Sequence, residues 1–134
     1  MRRRVIRAFD DYIAPGATVM SSNALNEILG EGDQLSLHAI IDNIIVAGTF
    51  DCFLEHSSDG RNWIQRNGAA STAGNGDISV ATISVGSGYS KMWSDGAIGT
   101  TNATGPILPF VRLRIQLGAG SAHVAVHASL RALG

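Results

Sequence analysis

A chain of 134 residues carries 45% hydrophobic and only 16% charged side chains, with a formal net charge of −1. That length suits one domain with a substantial core, and the near-neutral balance excludes a global electrostatic pull toward nucleic acid or an anionic membrane. An average soluble domain is ~25% charged, so part of this surface is expected to be covered by a second copy or another partner.

The chain opens with Arg2, Arg3, Arg4 and Arg7 ahead of Phe9, Asp10 and Asp11. The two aspartates interrupt any apolar leader, so no secretory signal is read. Residues 1–15 are expected to be an N-terminal arm or first strand, with alternation over 3–9, preceding a sandwich domain over 16–134. A short strand is expected over 17–20 and a single helical segment over 23–29. Leu35, Leu37, Ala39 and Ile41 then alternate with Ser36, His38, Ile40 and Asp42, the period-two pattern of a half-buried strand. Residues 35–53 are the most apolar stretch, but His38, Asp42, Asn43 and Asp51 within it exclude a membrane span.

Phe50, Cys52 and Leu54 alternate with Asp51, Phe53 and Glu55. Cys52 is the only cysteine, which excludes an internal disulfide, and its setting reads as core. Weaker strands follow over 62–66, 77–83 and 89–93. They are separated by glycine-rich loops over 68–76 and 95–105, the second containing Ile98. Near the end Val111, Leu113, Ile115 and Leu117 form one apolar face, and Val124, Val126, Ala128 and Leu130 another. The intervening Gly118-Ala119-Gly120-Ser121 predicts that these last strands form an antiparallel hairpin. The expected fold is all-β: a single β-sandwich, jelly-roll-like, of eight or nine mostly antiparallel strands.

Catalytic patterns are absent from the sequence. His123 and His127 share a strand face but lie about 13 Å apart at ~3.3 Å per residue, too far to bind one ion at ~2.1 Å each. His38 or His56 would have to join them from another strand. The serines form no nucleophile elbow, and Gly74-Asn75-Gly76 lacks the lysine of a phosphate loop. Asp10 and Asp11, being consecutive, point to opposite faces of a strand and are poor partners for acid–base work. Asp33, Asp59, Asp77 and Asp95 lack calcium-loop spacing and suit turns. Asn102-Ala103-Thr104 matches a glycosylation acceptor, an accidental match without a secretion signal. No enzyme, cofactor or metal is therefore expected. The aromatic residues Tyr12, Trp63, Tyr89 and Trp93 read first as core or rim packing, with an exposed carbohydrate platform as the alternative function.

The most distinctive segment runs from Phe50 through Ser57-Ser58-Asp59-Gly60-Arg61-Asn62 to Trp63. A strand reaches Ser57, Asp59 and Gly60 make a tight turn, and Trp63 starts the return strand and covers the hairpin. This pattern resembles a hairpin of discoidin-type sandwiches and, over more of the chain, the small β-sandwich structural proteins of tailed bacteriophages, capsid decoration proteins among them. The phage likeness extends from Gly32-Asp33-Gln34-Leu35, which opens a long strand, to the closing strand pair over 110–130. The discoidin likeness stops at the hairpin and lacks that family's flanking cysteines.

The phage resemblance implies a virion subunit, made in the host cytoplasm, that binds the major capsid protein or other virion subunits. It also implies a homo-oligomer, with a trimer favoured. The expected contact residues are Arg2, Arg3, Arg4, Arg7, Tyr12, Trp93 and Ile98, while Asp59, Gly60 and Trp63 are expected to hold the hairpin.

Overall fold

The computed structural model describes residues 2–20, 34–65, 77–94, 108 and 110–132. Nine strands follow in order: β1 (Arg2–Ile13), β2 (Thr18–Met20), β3 (Gln34–Val46), β4 (Gly48–Ser57), β5 (Ile64–Gln65), β6 (Ile78–Ile83), β7 (Tyr89–Ser94), β8 (Phe110–Gly118) and β9 (Ser121–Ala132). The expected helix over 23–29 and the loops over 68–76 and 95–105 lie outside the described residues. The opening segment is a first strand, paired with β9 from Arg2 opposite Ala132 to Ile13 opposite Ala122.

One sheet has the order β1-β9-β3-β7, the other β2-β8-β4 with β5 and β6 on the far edge of β4, and every pairing is antiparallel. β3 pairs with β9 in the first sheet, while their chain neighbours β4 and β8 pair in the second. These four strands thus form two long bent ribbons that cross from sheet to sheet side by side. β1 and β2 follow the β9–β8 ribbon, and β7 and β6 follow β3–β4. This double Greek key is a jelly roll.

The crossing corrects the expected final hairpin, because β8 and β9 lie in different sheets. Gly118 pairs with Thr49 in one sheet and Ser121 with Val46 in the other. At the corner between them, a Cβ on Gly48 would run into the backbone of Gly118 and Gly120, and a Cβ on Gly120 would stand 3.1 Å from the Gly48 Cα. Ala119 adopts a left-handed φ of 60°. The glycines permit two backbones to touch at a fold in the ribbon, a use that shares its sequence signature with a tight turn.

Alternation delivers the core. Leu35, Leu37, Ala39 and Ile41 of β3 meet Phe50, Cys52 and Leu54 of β4, the odd-numbered residues Val111 to Leu117 of β8, and Val124, Val126 and Ala128 of β9, all fully buried. Each large side chain contributes ~1.5–3 kcal/mol by leaving water. β5 and β6 occupy successive stretches of one edge of β4, opposite residues 55–56 and 48–52. Where the ladder breaks between them, the Asp77 carboxylate accepts the Leu54 amide at 2.6 Å, so the gap leaves no buried donor unpaired.

Candidate functional site

The outer face of the β1-β9-β3-β7 sheet collects three of the four histidines. His123 on β9 stands opposite Asp42 on β3 and Tyr12 on β1. Its Nδ1 lies 2.8 Å from Asp42 Oδ1 and its Nε2 2.5 Å from Asp10 Oδ1. Carboxylates only accept, so a ring satisfied at both ends must donate from both nitrogens and carry charge. The hydrogen bond to Asp42, assisted by that to Asp10 and opposed by partial burial, raises the His123 pKa above its ordinary value. Asp10 also pairs with Arg7 at 3.0 Å. The result is a clip across three strands. Both ring nitrogens are occupied, so His123 has no free lone pair with which to activate a nucleophile.

Further along the same face His38 Nε2 meets Ser90 Oγ at 2.6 Å, and the His38 and His127 rings stand 6.4 Å apart. A Ser–His contact is one element of a nucleophilic pair, but the partners sit on an open, exposed sheet surface, with no site that excludes water. His56 is buried on the other sheet, where its Nδ1 accepts the Leu108 amide at 3.0 Å. Burial, reinforced by Asp77 and Asp51, pushes the Cys52 thiol far above its usual range, which keeps it protonated and inert. Among the described residues no group of three or more His, Cys, Asp or Glu side chains is arranged to hold a metal.

The outer face of β4 is unexpectedly buried: Asp51, Phe53, Glu55 and Ser57 are all enclosed. Arg114 lies over the Phe53 ring at 4.1 Å and Arg112 over Trp63 at 4.2 Å. Glu55 joins both guanidinium groups, at 2.7 Å to Arg112 and 3.3 Å to Arg114. This layer explains why Phe53 sits on the outward face without reaching solvent, since arginine stems cover apolar surface while their charges are paired. The sequence reading missed both this cluster and the His123 clip. Facing residues 55 and 112, or 42 and 123, become neighbours only once the strand register is known.

The expected hairpin is present, but its loop is longer than a tight turn: β4 and β5 pair up to His56 opposite Ile64, and Trp63 precedes β5 rather than starting it. Gly60 has a φ of 76°. The Asp59 carboxylate accepts the amides of Arg61 and Asn62, the Asn62 side-chain amide and the Ser57 hydroxyl. The bonds to the Asn62 and Arg61 amides are the main cause of its lowered pKa.

The expected contact residues separate. Arg2, Arg3 and Arg4 lie in β1, Arg7 is ion-paired, and Tyr12 is 45% exposed. Trp93 is half-buried against the core, and Ile98 falls outside the described residues. Trp93 and Tyr89 line the core side of β7 while Trp63 lies under Arg112 on the other sheet, so these rings share no open platform for a sugar.

At the end of the sandwich where the β3–β4 and β6–β7 links lie, Tyr12, Ile45, Gly86 and Ser87 line an open depression beside His123. Ile45 is 63% exposed there, and Val85, next to Gly86, is 62% exposed. Comparison of the chain with protein-family models and with curated proteins finds no match to either.

Proposed function

We propose that this protein is a virion structural subunit, a capsid decoration or accessory protein that forms a homo-oligomer, binds the capsid surface by protein–protein packing and helps stabilise the particle. The observation that carries this reading is the apolar end formed by Tyr12, Ile45 and Val85, large side chains left in water beside a depression. Apolar surface of this kind favours a protein partner, and among the described residues the outer faces assemble no water-excluding site that would compete with a packing role. The Ser58–Trp63 hairpin and the jelly-roll order agree with the resemblance to phage decoration proteins.

The test is cosedimentation with capsids assembled without this chain. The wild type is expected to pellet with the particles and to raise their thermal disruption temperature. Ile45→Asp combined with Val85→Asp should weaken cosedimentation at least tenfold while leaving the far-ultraviolet spectrum unchanged. A wild-type chain that stays in the supernatant at all concentrations would remove the reading.

A further inference from the structure

The outer edge of β1 has no strand beside it among the described residues. It runs for 12 residues, and long bare edges invite another strand. Natural edges are commonly defended by scattered charges. Here the charges are instead segregated, Arg2, Arg3, Arg4 and Arg7 in the first half and Asp10 and Asp11 in the second.

That polarity makes the edge complementary to itself in one orientation only. We propose that two copies of this chain pair through β1, antiparallel, about a twofold axis through Ile6, the irregularity between Arg7 and Phe9 taking up one residue on each strand. This register sets Arg2 opposite Asp11 and Arg3 opposite Asp10 of the second copy. The facing pairs also share a side of the sheet. Arg3 and Asp10 are in register with Arg131 and Ala125, and Arg2 and Asp11 with Ala132 and Val124, each an even number of steps apart on β9. Parallel pairing would place arginine on arginine and aspartate on aspartate, which is repulsive. Val5, 59% exposed, lies near the middle of the contact.

The inference rests on the homo-oligomer part of the reading above, and it changes the number. A twofold contact is isologous and closes at two copies, so it replaces the trimer implied by the phage resemblance. An edge-to-edge contact is narrower than a standard interface of roughly 800 Å² per partner, so association depends on concentration. Because its selectivity is electrostatic, it weakens at 1 M salt, where the screening length is ~3 Å.

Light scattering with size exclusion on the full chain tests this. The wild type should run as a dimer at low salt and shift toward monomer in 1 M NaCl. Arg2→Asp alone and Asp11→Arg alone should each raise the dissociation constant tenfold or more, since each faces like charge with like. Mixing these two variants should restore a dimer, because both facing pairs are then opposite in charge. A monomeric or trimeric wild type, a dimer that Asp11→Arg leaves intact, or a mixture that stays monomeric while both variants keep the native circular dichroism spectrum would overturn the proposal. A dimer that ignores capsids sinks the virion reading alone; a capsid-binding trimer sinks this one alone.

Discussion

His123 ties together residues far apart in the chain, Asp10 on β1 and Asp42 on β3, through its two ring nitrogens. Its raised pKa fixes the direction of its pH dependence. Below the unfolded value of ~6.5 the ring is charged in both states, and the full stabilisation of the clip is present. As pH rises through the raised folded value the ring loses a proton, one carboxylate then faces a lone pair, and the contribution is lost. The charged groups around the ring are Asp42 from β3 and Asp10 with its partner Arg7 from β1. Thermal unfolding from pH 5.5 to 9 should therefore show wild type exceeding His123→Gln by a margin that shrinks with rising pH. A constant margin would show the clip to be uncharged. By contrast the Asp59 turn was legible from Ser57 to Trp63 alone, because all its hydrogen bonds span three residues or fewer. Alternation placed His123 on a face but carried no information about which strands lie beside it.

Strands were legible as elements because each buries one face at period two, and β4 shows where that logic stops: its outward Phe53 is enclosed by Arg114 from β8. The links between strands were harder to read, since glycine has several uses. Gly60 and Gly48 separate two of them. At Gly60 a Cβ would meet only the Phe110 ring, at 3.5 Å or beyond, in ordinary contact. Gly60→Ala then costs only the left-handed φ, about 1–2 kcal/mol. At Gly48 the obstruction is the backbone of Gly118 and Gly120, which cannot move without parting the ribbon where it changes sheets. Gly48→Ala should therefore destabilise by more than Gly60→Ala, about 3 kcal/mol or above by analogy with severe overpacking. Urea titration of the two variants measures the difference, and equal midpoints would show that the corner relaxes freely. The hairpin reading of 118–121 failed for the same reason: close backbone crossing and reversal both call for small residues.

At the scale of the whole molecule the two bent ribbons make the sheets interdependent. β3–β4 and β8–β9 each contribute one strand to either sheet, and β1 is held by β9, so the first and last strands close the first sheet together. Neither sheet keeps its strand order if the other dissolves, and unfolding is expected in one step. The two tryptophans report on this separately, Trp93 from β7 of the first sheet and Trp63 from beside β5 of the second. In Trp63→Phe only the first sheet carries an indole, and in Trp93→Phe only the second. Within each variant, fluorescence and far-ultraviolet circular dichroism should give one urea midpoint. Leu37→Ala empties volume on the first sheet and Leu113→Ala on the second, both at fully buried positions, each costing about 2–5 kcal/mol. Added to either single-tryptophan background, both truncations should lower the midpoint whichever indole is read. If Leu37→Ala moved only the Trp93 signal, the sheets would be separate folding units and the ribbons mere tethers. A common shift would show that the shared core, to which Leu37 and Leu113 both belong, and the ribbons that cross between the sheets make the two halves of the sandwich one cooperative structure.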